Sequence, residues 1–64
     1  MGRQNKKRNV AEHHKETIMN EAEKIFLEKG FSATTIADIS KASEYSRRTI
    51  YAYYDSKEDI LYHI

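Results

Sequence analysis

The chain has 64 residues, which make one domain at most, and a core that small is marginally stable unless a further region or a second copy buries more surface. It has no cysteine, so no disulfide or thiolate metal site can staple it, and this fits a reducing, cytoplasmic setting. The net charge is only +1, and no apolar run approaches the roughly 20 residues of a membrane span, so no membrane partner is expected. Charge is nevertheless uneven: Arg3, Lys6, Lys7, Arg8 and Lys15 face only Glu12 over residues 1–15, the stretch Glu16 to Glu28 is acidic, and Arg47 with Arg48 forms a separate basic point.

Residues 1–9 carry no apolar side chain after Met1 and read as a flexible basic arm, because nothing there offsets the entropy of ordering. From about Val10 to Lys29 the pattern becomes helical, with Ile18, Ala22, Ile25 and Phe26 at i, i+4, i+7 and i+8. Gly30 ends this helix as a left-handed cap, and Phe31 can fold back onto it. Thr35 with Asp38 resembles a capping box that opens a second, short helix with Ile36, Ile39 and Ala42 inward. Ser43-Glu44-Tyr45-Ser46 supplies a turn and an N-cap, and a third helix is predicted from about Arg47 to Tyr53. Ser56 with Asp59 starts a fourth helix bearing Ile60, Leu61 and Ile64, whose apolar pattern is still accumulating at the last residue and predicts that more protein follows.

The fold class is therefore all-α: a small helical bundle of homeodomain-like outline, with a helix-turn-helix inside a domain spanning residues 10–64. Ile18, Ala22, Ile25, Phe26, Phe31, Ile36, Ile39, Ile50, Tyr54, Ile60 and Leu61 are the expected core. In the third helix Ile50 and Tyr54 share the inward side, which leaves Arg47, Arg48, Thr49, Tyr51 and Tyr53 outside. Double-stranded DNA has the matching chemistry. Helix-start N–H groups with the Ser46 and Thr49 hydroxyls suit phosphate oxygens, an arginine fits guanine bidentately, and a tyrosine ring lies against a thymine methyl or donates to a phosphate.

The stretch Phe26 to Ile60, FLEKGFSATTIADISKASEYSRRTIYAYYDSKEDI, resembles the tetracycline-repressor (TetR) family. In that family a helix ends in a glycine-aromatic pair, A-T-T follows, and a helix-turn-helix closes on a T-[LI]-Y-x-[YH]-[FY]-x-[SN]-K-E pattern. The likeness covers roughly residues 16 to 64. It implies a recognition-helix threonine at Thr49, a groove-facing tyrosine at Tyr51, a phosphate-contacting aromatic at Tyr53, a lysine opening the fourth helix at Lys57, and a phosphate-clamping hydroxyl at Thr35 with Thr34 beside it. Ser46 takes the cap of the recognition helix. The family's larger C-terminal region implies a homodimer on a palindromic operator, relieved by a small-molecule inducer, hence a transcriptional repressor. The chain departs from the family in its turn, where A-G-V is replaced by Ser43-Glu44-Tyr45; a residue with a Cβ there takes a left-handed conformation at about 1 kcal/mol. Tyr45 either half-buries its ring or points its hydroxyl at the DNA backbone, and Arg48 must find room at the groove.

No cofactor is implied, and enzymatic activity is not expected of a helical chain with so little pocket. His13 and His14 point about 100° apart on a helix and lack a third ligand, so no metal site is assigned. The rival class is a small helical interaction module that meets a partner protein through Tyr45, Tyr51 and Tyr53. Steep weakening with salt marks the DNA reading, whereas an aromatic interface barely responds.

Overall fold

The computed structural model describes residues 10–64, which fold as α1 (Val10–Lys29), α2 (Ile36–Ser43), α3 (Arg47–Tyr53) and α4 (Lys57–His63). Each boundary has a local cause. Gly30 takes φ 88° and returns its N–H to the Phe26 carbonyl at 2.9 Å, and the Phe31 ring then lies 5.0 Å from that of Phe26. Thr35 and Asp38 complete the capping box: Thr35 Oγ1 accepts from the Asp38 N–H at 3.1 Å while the Asp38 carboxylate accepts from the Thr35 N–H at 3.0 Å. Ser46 and Ser56 cap α3 and α4, each hydroxyl accepting a backbone N–H, from Thr49 and Asp59 respectively.

α1 packs against each of the other helices, and α2 also meets α3, so the long helix is the spine on which the short ones lie. Ile18 and Ala22 of α1, Ile39 of α2, Ile50 of α3 and Ile60 of α4 are fully buried, and Tyr54 joins them. Burying each isoleucine contributes about 1.5–3 kcal/mol. The Tyr54 hydroxyl donates to the Lys15 carbonyl at 3.1 Å, and burial together with the Asp59 carboxylate raises its pKa above 10.0. Ile25, Phe26 and Ile36 are partly buried against this cluster, and Phe31 is half-buried over Phe26.

Two core expectations are corrected. Leu61 is 45% exposed, because Ile60 occupies the inward position of α4 and the next residue is rotated by about 100°. Ala42 is also exposed, since the buried row of α2 runs from Ile39 to Ser43 at i, i+4. Ser43 enters the interior without an unmet polar atom: its hydroxyl lies 3.5 Å from the Ser40 carbonyl and accepts the Tyr45 N–H at 3.3 Å. The reading of residues 1–9 as an arm falls outside the described residues.

Candidate nucleic-acid interface

α2 and α3 are joined by Glu44, Tyr45 and Ser46, one residue fewer than the sequence suggested. Glu44 stands at φ 68° and ψ 13°, the only positive φ at a non-glycine residue among those described, and its N–H closes on the Ser40 carbonyl at 2.9 Å. The Ser40 hydroxyl donates to the Tyr45 carbonyl at 2.6 Å and fixes the exit of the turn. The left-handed residue is thus held by bonds on both sides, which is how a side chain with a Cβ persists where glycine is preferred.

The turn leads into α3, whose N-terminus Ser46 caps. Ser46 accepts the Thr49 N–H at 3.1 Å, and its hydroxyl lies 3.0 Å from Thr49 Oγ1. Ile50 and Tyr54 are buried beneath the helix, so Arg47, Arg48 and Tyr51 fall on the outside; Tyr51 is 52% exposed. Among the described residues neither guanidinium forms a hydrogen bond or ion pair. Arg47 and Tyr51 lie at i, i+4, so a cation with a planar donor fork and an aromatic ring share one surface.

The remaining sequence candidates sort differently. Thr35 is exposed at the start of α2. Thr34 is not: it is 1% exposed, and its hydroxyl donates to the Gly30 carbonyl at 2.7 Å, satisfying an acceptor that the end of α1 leaves open. Tyr45 and Tyr53 are half-buried against the core, and both meet His14 of α1. The Tyr45 ring lies 5.0 Å from the imidazole, and the Tyr53 hydroxyl is 3.4 Å from Nδ1. His14 was weighed in the sequence only as a metal ligand, and its packing role was missed although its i−4 spacing from Ile18 put it on the inward face of α1. Among the described residues no three His, Asp or Glu side chains gather as metal ligands.

Lys57 opens α4 with its ammonium turned inward. Nζ donates to the carbonyls of Phe31 at 2.7 Å and Thr34 at 2.8 Å, lies 3.4 Å from that of Ser32, and sits 4.4 Å above the centre of the Phe31 ring. Asp38, beyond its cap bond, meets Lys29 at 3.1 Å. The Thr35 N–H and the Lys29 ammonium hold the Asp38 carboxyl below its ordinary pKa of 3.8.

Two short helices joined at a left-handed turn residue, the second N-capped and bearing an exposed cationic and aromatic outer face, define a helix-turn-helix DNA-binding domain. The chain belongs to the tetR family of bacterial regulatory proteins, whose family model matches residues 18–64. It is similar to the biofilm operon icaADBC HTH-type negative transcriptional regulator IcaR of Staphylococcus epidermidis, with 41% identity over 46 residues, 72% of this chain and 25% of that one. It is also similar to the HTH-type transcriptional regulator HbdR of Aromatoleum sp. (strain CIB), with 36% identity over 53 residues, 83% of this chain and 23% of that one. The chain therefore spans about a quarter of the length of these curated relatives. No solved structure matches it. The family is one of DNA-binding transcription regulators and not of enzymes. No helix among the described residues is long and apolar enough to cross a membrane.

Proposed function

We propose that residues 10–64 form the DNA-binding head of a cytoplasmic transcriptional repressor, with α3 entering the major groove of a double-stranded operator. The observation that carries this reading is the outer face of α3: Arg47, Arg48 and Tyr51 are exposed without partners among the described residues while Ile50 and Tyr54 anchor the helix from beneath. Arg47 and Tyr51 read base edges, with Arg48 at the groove wall; Ser46, Thr49 and Thr35 meet phosphates through hydroxyls and helix-start N–H groups. Tyr53 and Tyr45 reach the DNA backbone only at the edge of the interface, since their rings are half-buried beside His14. Thr34 contributes from the interior, by bracing the loop. Residues 1–9 act as a basic arm that adds sequence-independent affinity.

The similarity to a negative regulator supports repression, and the family supports a homodimer on a palindromic operator with a small-molecule inducer bound outside these residues. The rival interaction module is disfavoured because two of its three tyrosines, Tyr45 and Tyr53, are half-buried on the core and only Tyr51 is exposed. A random-site selection tests the proposal. The expected outcome is a defined site for the wild type and a preference relaxed at one base pair for Arg47→Ala, at about 1–3 kcal/mol. An unchanged preferred site in Arg47→Ala would remove α3 from the groove.

A further inference from the structure

Lys57 connects the segment that follows α3 to the loop that leads into α2. It follows directly on Ser56, the cap of α4, and its side chain crosses to the loop between α1 and α2. An ammonium has three N–H donors and no acceptor, and here the carbonyls of Phe31, Ser32 and Thr34 surround it. Those carbonyls belong to the loop between α1 and α2 and supply the negative charge that holds the cation, and the face of Phe31 adds a cation–π contact. The cage answers a difficulty of sequence: a lysine in the first turn of a helix is opposed by the dipole of that helix, and here its ammonium is turned away to the carbonyls of a loop.

We propose that Lys57 is a positioning residue, whose caged ammonium seats the α1–α2 loop, and with it Thr35 and the start of α2, against the unit that carries the recognition helix. This rests on the DNA-binding reading above. All its donors are directed at the loop, so a phosphate contact would require the cage to open. Arginine is no substitute, because the donors of its planar fork diverge and cannot converge on three oxygens around a single nitrogen.

The absence of cysteine makes a rescue experiment clean. Lys57→Cys alkylated with 2-bromoethylamine regains a primary ammonium at lysine length; alkylated with (2-bromoethyl)trimethylammonium it regains the charge without any N–H. Backbone amide shifts of Phe31 to Thr35 are read in the free protein, and binding to mixed-sequence duplex DNA is read by anisotropy across a salt series. The primary ammonium should restore wild-type shifts and affinity. The trimethylated form should leave the loop shifts displaced and bind several-fold more weakly. Lys57→Ala should also bind more weakly, with a log–log salt slope parallel to wild type, since no phosphate contact is removed. Loop shifts in the trimethylated form that match wild type would overturn the proposal, as would a slope in Lys57→Ala reduced by about 0.9, the mark of one lost phosphate contact. A wild type that binds no duplex at low salt would instead sink the DNA-binding reading, and the free-protein shifts would then decide the cage alone.

Discussion

Glu44 holds a conformation that a Cβ makes unfavourable by about 1–2 kcal/mol, and Gly30 shows the same region occupied at no such cost. Replacing Glu44 by glycine relieves that strain but adds freedom to the unfolded chain, so Glu44→Gly is expected to stabilise the fold by at most about 1 kcal/mol. Urea denaturation checks this; a loss of stability would mean that the glutamate side chain makes a favourable contact at the turn. Asp38 gives a pH dependence of definite sign. Its carboxyl is held below 3.8 in the fold, so the unfolded chain takes up its proton first. The stability it contributes is present above pH 3.8 and is lost as the pH falls through the lower folded value. Asp38→Asn should therefore flatten the acid limb of the stability curve below that pH, and an acid limb identical to wild type would assign acid unfolding to other carboxylates.

At the scale of the element, α3 has only seven residues, too few to persist without its cap and its packed face. Ser46 satisfies the Thr49 N–H, and Ser46→Ala is expected to cost about 1 kcal/mol. In a domain of this size that corresponds to a fall of roughly 4–8 °C in Tm. Thermal melting measures it, and no change would mean that water caps the helix equally well. The far end of α3 is tied through Tyr54, whose hydroxyl reaches the Lys15 carbonyl. Tyr54→Phe keeps the ring in the core and removes a second hydrogen bond to a carbonyl that the α1 backbone also engages, so a loss of about 1 kcal/mol is expected by the same measurement.

At the scale of the molecule, a handful of isoleucines from four helices converge on one small core, so no element is stable without the others. Ile50→Ala opens a cavity at the point where α3 meets α1 and should cost about 2–5 kcal/mol, comparable to the whole stability of so small a domain. The expected result is a far-UV spectrum that is largely unfolded at room temperature; a cooperative melt near wild type would show that the helices are held by something other than this core. Binding has its own molecular test. Deleting residues 2–8 removes Arg3, Lys6, Lys7 and Arg8 and should lower the salt slope of duplex binding. Equal slopes with and without them would exclude the arm from the interface.

The sequence by itself determined what acts over a few residues. The glycine end of α1, the Thr35 and Asp38 box and the Ser46 and Ser56 caps all depend on partners within about four positions, and each was legible from residue type and spacing, whereas the left-handed turn residue was expected only from the family resemblance. The family pattern spans those same local features, which is why it too could be read directly. Tertiary structure alone decided which surface each polar group meets. Thr34 and Thr35 are adjacent, yet one is buried and the other exposed, because the loop turns between the end of α1 and the start of α2. His14 meets Tyr53 across 39 positions, and Lys57 meets Phe31 and Thr34 across 26 and 23. Contacts of that range leave no periodicity in the chain, since they exist only once the hydrophobic core has brought α1, α3 and α4 together.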